Sequence, residues 1–229
     1  CVNSSLRPKP CFRKYDCKYS CLGFFLLKRL AETLLKEPLD SFLAEELYKP
    51  LGLTTLTYCP LDKFPANRIA PTEEDNTFRQ SLLQGLVHDE KAALYGGLAG
   101  NAGLFGNAND LAILLQMHLQ NGYYGNKRYF QKGIVQQFTQ SVSRKNHRGL
   151  GWDKPVGVEW SYVSAQASTN AYGHSGFTGT VVWVDPKYDL IFIFLSNRVH
   201  PQRSNVELIR QKVRARVQDV VYKALLDRK

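Results

Sequence analysis

One stretch of this 229-residue chain gathers groups that acyl chemistry uses: Tyr172-Gly173-His174-Ser175-Gly176-Phe177-Thr178-Gly179-Thr180, running directly into Val181-Val182-Trp183-Val184. Small residues at 175, 176 and 179 let a ligand approach the backbone closely. His174 supplies a donor or a positive charge, and Ser175 supplies a hydroxyl. The backbone N–H of Phe177 can point at an oxygen on which negative charge develops, the arrangement that stabilises acyl-transfer transition states. On spacing alone, the same residues also read as a Gly-rich entrance to a strand with a hydrogen-bonded histidine. Tyr19-Ser20-Cys21, ahead of a helical pattern, is the second candidate. A tyrosine at a loop–helix junction acts as a general base only where cations pull its pKa down from about 10. Otherwise it packs at the helix start.

Other chemistries find less support. Gly96-Gly97-Leu98-Ala99-Gly100-Asn101-Ala102-Gly103 has no Gly-Lys-Ser/Thr ending and no apolar strand before it, so it is not a phosphate loop. Its glycines read as places of close backbone approach or positive φ. Four of the five cysteines, Cys1, Cys11, Cys17 and Cys21, fall in the first 21 residues, with Cys59 apart. That spacing has no metal-binding pair and no following histidine pair, so no metal is expected. The formal charge of +10 is concentrated in residues 1–20 and 198–229. It reads as solvated surface, since no nucleic-acid motif accompanies it. No run of 18 apolar residues exists, so no membrane span is expected.

The elements that must position these residues are legible in part. Leu27, Leu30, Ala31, Leu34 and Leu35 repeat with helical spacing and read as one buried stripe, ended by Pro38. On that reading Leu34→Ala leaves a cavity costing about 2–5 kcal/mol. Asp40 is expected to cap a short helix holding Phe42, Leu43 and Leu47. Residues 54–106 read as mostly irregular. Asn107 or Asn109 can cap a helix with Leu111, Leu114, Leu115 and Leu119 inside, stopped by Asn121-Gly122. A short helix follows near 130–140. Val181–Val184 and Leu190–Leu195 are two strands joined by a turn with Asp185 and Pro186. The second is apolar on both faces, so the sheet should be covered on both sides. The tail, 204–226, is helical, with Ile209, Val213, Val217, Val220, Val221, Ala224 and Leu225 as its stripe.

Taken in order, four segments resemble the class C β-lactamase and penicillin-binding-protein-like serine hydrolases. Tyr19-Ser20-Cys21, with its helix and the Pro50-Leu51-Gly52-Leu53 turn, resembles the family's Tyr motif. Gly100-Asn101-Ala102-Gly103-Leu104-Phe105 before Asn109-Asp110-Leu111-Ala112 resembles its Gly-rich segment. Gly173-His174-Ser175-Gly176-Phe177-Thr178-Gly179-Thr180 resembles its Lys/His-Thr/Ser-Gly motif, and Asp185-Pro186 and Leu195-Ser196-Asn197-Arg198 match the strands that follow. A narrower resemblance, through Ala70-Pro71-Thr72-Glu73, Phe78-Arg79 and Gly85-Leu86-Val87-His88-Asp89, is to the domain fused behind family-three β-N-acetylglucosaminidases in Bacteroidetes-type bacteria. Related stand-alone enzymes include N-acetylmuramyl-L-alanine amidases of peptidoglycan recycling.

The resemblance implies an α/β fold: a β-lactamase-like sandwich of an antiparallel sheet flanked by helices, plus a helical and irregular subdomain. Residues 1–18 stay unassigned, and 19–229 form the C-terminal part of one such domain. It implies a serine hydrolase acting on an amide of a cell-wall-derived substrate in the periplasm or envelope, without a cofactor. By resemblance Tyr19 moves protons, His174 and Ser175 hold the substrate's anionic end or stabilise charge, and the Phe177 N–H forms half of an oxyanion hole. Ser20, Cys21 and Gly176 line the substrate. Three departures stand out: no serine is followed three residues later by Lys, Cys21 stands where the family has Asn or Asp, and Asn101 stands where relatives often have His. The Ser-x-x-Lys serine is the nucleophile, and its lysine assists removal of the hydroxyl proton. The chain is therefore expected to be an N-terminally truncated fragment, inactive alone. The alternative is a catalytically dead remnant or binding module.

Overall fold

The computed structural model describes residues 20–142, 147–155 and 162–227, so Tyr19 lies outside the described residues. Its centre is a three-stranded antiparallel sheet, β5 (Tyr172–Ser175), β6 (Val181–Asp185) and β7 (Leu190–Phe194), in the order β5-β6-β7. Val181 pairs with both Ser175 and Phe194, and Trp183 with both Gly173 and Phe192. Side chains alternate faces along a strand. Val181, Trp183 and Phe192 therefore share one face, packed with Val163, Ala171 and Val221. Tyr172, Val182, Val184, Ile191 and Ile193 share the other, packed with Leu115 and Leu119. Those leucines belong to α4 (Ala108–Leu119), and Val221 to α7 (Val213–Leu226). The sheet is thus covered by a helix on each side, as β7's doubly apolar sequence requires.

α4 starts where Asn107 accepts the Asp110 N–H at 2.8 Å, a side-chain cap for a helix N-terminus. Asp110 is itself buried and accepts the Thr55 N–H at 2.6 Å and the Thr55 hydroxyl at 2.8 Å. That fastens residues 53–57 to the helix and closes a second core of Tyr48, Leu51, Leu53, Leu56 and Met117. Asn121 and Gly122, at φ of +52° and +84°, turn the chain out of α4. A two-residue hairpin, β3 (Tyr123–Tyr124) with β4 (Lys127–Arg128), and a short α5 (Ile134–Thr139) follow.

The remaining helices depart from their expected faces. In α1 (Leu22–Leu35) no residue is fully buried, and Leu34 is 74% and Leu26 73% exposed. The side turned inward carries Phe24, Phe25, Lys28 and Glu32, while Leu22, Leu27 and Leu30 are exposed as well. Among the described residues nothing covers that leucine face. Gly100 lies against the helix backbone, where a Cβ would overlap the Phe24 carbonyl. α2 (Leu39–Leu43) has Pro38, not Asp40, at its cap position, and it winds on into a π-helical turn, Ala44–Tyr48. The tail is broken at Lys212, in the left-handed conformation, into α6 (Glu207–Arg210) and α7.

The buried side of α7 is Arg214, Ala215, Gln218 and Tyr222, while Val220 is 69% exposed. Gln218 and Tyr222 win these positions through specific partners. Gln218 donates to the Tyr162 carbonyl at 2.9 Å and accepts the Ser164 N–H at 3.2 Å. The Tyr222 hydroxyl donates to Asp185 at 2.8 Å.

Residues 54–106 are also more regular than expected. They contain an antiparallel hairpin, β1 (Pro71–Asp75) with β2 (Ser81–Gln84), and a short helix, α3 (Glu90–Leu94), capped by Asp89 accepting the Ala92 N–H at 2.7 Å.

Exposure separates two leucines of the same type. Leu34→Ala should change the unfolding free energy by no more than about 0.5 kcal/mol. Leu115→Ala, at 2% exposure, should cost about 2–5 kcal/mol. Urea unfolding of both variants checks this, and an equal loss would contradict the placement of α1.

Candidate active site

The His-Ser-Gly segment is not a loop entering a strand. It is itself β5 and, with the turn at 176–179, makes a hairpin with β6. Among the described residues β5 is an edge strand, and its outer side is occupied only in part. Gly173 exchanges both backbone hydrogen bonds with Asp153, at 2.8 and 3.0 Å. Outward and inward backbone groups alternate in an antiparallel ladder. Tyr172 and His174 therefore face β6, and the next outward position is Ser175. The same alternation separates the two polar side chains: His174 lies on the α4 face with Tyr172, Ser175 on the α7 face with Val181. One ligand meets both only across the open edge of β5. His174 Nδ1 lies 3.0 Å from the Ser175 carbonyl, which assigns the proton to Nδ1 and leaves Nε2 as the second polar atom of the ring.

Beyond Ser175 the turn is pinned from the following strand. Gly176 donates to the Thr180 carbonyl at 2.8 Å, Arg198 N–H to the Thr178 carbonyl at 2.8 Å, and the Ser196 hydroxyl to the Gly179 carbonyl at 2.9 Å. Gly179 takes φ +114°, and a Cβ there would lie 2.6 Å from the Ser196 hydroxyl, so only glycine fits without strain. None of the hydrogen bonds among the described residues uses the Phe177 N–H. This amide, at the end of the open edge, is an available donor.

The Phe177 side chain is 61% exposed, yet two groups touch its ring. The Arg198 guanidinium carbon is 4.6 Å from the ring centroid, and the His88 ring stacks at 5.5 Å with 23° between planes. His88 Nε2 is 2.7 Å from Glu73, which also accepts the Arg203 backbone N–H at 2.9 Å and its Nε at 2.8 Å. Arg203 bonds Glu90 at 2.8 Å. Burial works to raise the Glu73 pKa, but the hydrogen bonds from Arg203 and His88 outweigh it and hold the carboxyl below its ordinary value. The Glu73 and Glu90 carboxylates push Arg203 the other way, up. In the sequence Glu73, His88, Arg198 and Arg203 do not stand out as site residues; Glu73, His88 and Arg198 are signalled only by lying inside segments of the resemblance, Thr72-Glu73, Val87-His88-Asp89 and Asn197-Arg198, and Arg203 by nothing.

The structure brings His174, Ser175, Gly176 and Phe177 together. Ser20 and Cys21 stand at the start of α1, where Leu22 N–H donates to the Ser20 hydroxyl at 3.3 Å and Cys21 makes no side-chain cap. No hydrogen bond or ring contact among the described residues joins either to the β5 turn. The connection is indirect: Phe25 of α1 packs in the cluster containing Val87, next in sequence to the His88 that stacks on Phe177. Two open surface hollows, one beside the end of α1 (Arg29, Glu32, Lys36) and one at the β6–β7 turn (Pro186, Lys187, Tyr188), share no residue with this cluster.

Residues 14–216 match the family model described as Beta-lactamase. This chain belongs to the beta-lactamase family. It is 42% identical over 196 residues to the N-acetylmuramyl-L-alanine amidase of Bacillus subtilis, a match covering 80% of this chain and 44% of that protein. A relative from Escherichia coli, provisionally named a D-alanyl-D-alanine carboxypeptidase, is 39% identical over 195 residues, 80% of this chain and 45% of its own length. The chain therefore spans less than half the length of these relatives. Among solved structures it resembles a beta-lactamase from Mycobacterium bovis at 19% identity and TM-score 0.60, covering 90% of this chain and 64% of that one. The similarity in that case is one of fold, and it matches the β-lactamase-like α/β architecture described above.

Glu73 gives a pH signature. A carboxylate whose folded pKa is depressed stabilises the fold above its unfolded pKa, near 4.5, and that stability is lost as pH falls toward the folded value. Glu73→Gln should cost on the order of 3 kcal/mol at pH 7, since Arg203 and His88 lose a buried charged partner. The difference from the parent should shrink below about pH 4.5. Denaturant melts at pH 7 and pH 3.5 measure it, and a pH-independent difference would contradict the charge state assigned to Glu73.

Proposed function

We propose that this chain is the C-terminal part of a serine hydrolase domain that cleaves an amide in a peptidoglycan fragment at the cell envelope. The reading is carried by the Phe177 N–H at the edge of β5, which has no partner among the described residues, in a chain 42% identical to an N-acetylmuramyl-L-alanine amidase. The substrate lies along the edge at Ser175–Phe177. Attack by a serine hydroxyl on the amide carbon places negative charge on the former carbonyl oxygen, and the Phe177 N–H donates to it. The leaving nitrogen departs as an amine after taking a proton, and water then hydrolyses the acyl-serine ester. His174 and Ser175 hold the anionic part of the substrate, Ser20, Cys21 and Gly176 line it, and Tyr19 carries the proton.

The nucleophile belongs to a segment outside this sequence, which contains no Ser-x-x-Lys. The exposed leucine face of α1 supports that reading. Leu22, Leu26, Leu27, Leu30 and Leu34 would each gain about 1.5–3 kcal/mol on full burial, so this face suits the rest of the domain. A fused β-N-acetylglucosaminidase, which the narrower resemblance implies, would release muramyl fragments of the kind such an amidase takes. The missing motif also favours a second reading, in which the chain keeps the groove and binds without catalysis.

Turnover of a muramyl-L-alanine substrate separates the two. The 229-residue chain should show none above background, while the full-length gene product with a Ser-x-x-Lys segment should be active. In that product His174→Ala and Tyr19→Phe should each lower kcat by roughly 10²–10³. Ser175→Ala should act mainly on KM, because a group that holds the substrate equally in ground and transition state lowers KM alone. Wild-type kcat in both His174→Ala and Tyr19→Phe would overturn the roles given to these residues, and a full-length product without turnover would support the binding reading.

A further inference from the structure

A residue that offers its N–H to a ligand cannot use that N–H to fix its own backbone. Phe177 is in this position, and its neighbours Gly176 and Gly179 add no stiffness. Its side chain is mostly in solvent, so burial does not hold it either. Hydrogen bonds at Gly176, Thr178 and Gly179 pin the turn on either side of it; Phe177 itself is held through what touches its ring, and those contacts form a closed circuit. Phe177 stacks on His88, His88 bonds Glu73, and Glu73 bonds Arg203. The Arg203 carbonyl accepts Arg198 Nη1 at 3.2 Å, and Arg198 returns to the Phe177 ring. Arg198 is itself only 9% exposed and is held by the Asn205 carbonyl at 2.7 Å. Its backbone N–H also ties Thr178, so it grips both the ring and the turn.

We propose that His88 and Arg198 are positioning residues that clamp the Phe177 ring and so hold the Phe177 N–H in one orientation, with Glu73 and Arg203 as anchors. The catalytic meaning of the clamp rests on the reading of Phe177 as an oxyanion donor. Histidine suits the place because its edge bonds the carboxylate while its face meets the aromatic ring. Preorganised donors need no reorganisation as charge develops, so a loosened Phe177 amide would lose transition-state stabilisation and leave ground-state binding intact.

Two variants remove the stack without opening the core. His88→Gln keeps a donor for Glu73 and deletes the ring. Phe177→Leu changes an exposed side chain and keeps the amide. In the 229-residue chain, ¹⁵N relaxation should give the parent Phe177 amide an order parameter near the rigid value of about 0.85, falling below about 0.6 in both variants. The Val182 amide and the melting temperature should hold. An unchanged Phe177 order parameter in both overturns the clamp. In the full-length enzyme the same variants should lower kcat about tenfold with KM within about twofold. A loosened amide with unaltered kcat would leave the clamp standing and remove Phe177 from the oxyanion hole.

Discussion

Glu73 is a carboxylate at 3% exposure, and a charge so placed must find partners or lose its proton. The partners it finds come from two other stretches of chain, His88 at the end of the β1–β2 hairpin and Arg203 beyond β7. One side chain thereby fixes the distance between the hairpin and the segment after the sheet. Asn197 adds a side-chain bond to the Pro71 carbonyl, and Glu74 N–H donates to the Pro201 carbonyl at 2.8 Å. The 176–179 turn sits against this junction through Arg198 and Ser196, so the geometry at Phe177 depends on the buried ion cluster as much as on the strands either side of it.

The sheet supplies the other half. β6 is buried along most of its length and sets the register of β5, which remains short and open at one edge. An exposed strand edge is a liability that proteins usually cover. Among the described residues Asp153 covers Gly173, the Ser175 carbonyl takes up the His174 ring, and the Phe177 N–H stays uncovered. Asp153 can do so because Arg148 and the Tyr162 hydroxyl hold its carboxylate at 2.5 and 3.3 Å. A partly capped edge ending in a free N–H is a suitable place for an extended substrate to add backbone-like hydrogen bonds.

How far the sequence reveals this depends on what each element buries. β6, β7 and α4 bury Val, Ile and Leu, and their periodicity reports it directly. β1 buries Glu73 and Asp75, so Pro-Thr-Glu-Glu-Asp reads as loop. The strand forms because Asp75 accepts the N–H groups of Thr77, Phe78 and Arg79. α7 turns Gln218 and Tyr222 inward for the same kind of reason, with Arg214 over the Tyr162 ring, which leaves the apparent stripe at Val217 and Val220 in solvent. α1 is the opposite case: a true apolar stripe whose partner is not among the described residues. The His-Ser-Gly motif was legible through resemblance, whereas the His88 and Arg198 contacts with Phe177 arise only when segments about ninety and twenty residues away fold against it.

On the proposed reading the Phe177 N–H receives developing negative charge. A phosphonate that forms a covalent bond to the nucleophilic serine of the full-length protein mimics the tetrahedral intermediate, and a crystal structure of that adduct locates its oxygens. One phosphonyl oxygen should lie about 2.7–3.1 Å from the Phe177 nitrogen. An adduct in which both non-bridging oxygens are held by other donors, with the Phe177 N–H left to solvent, would contradict it.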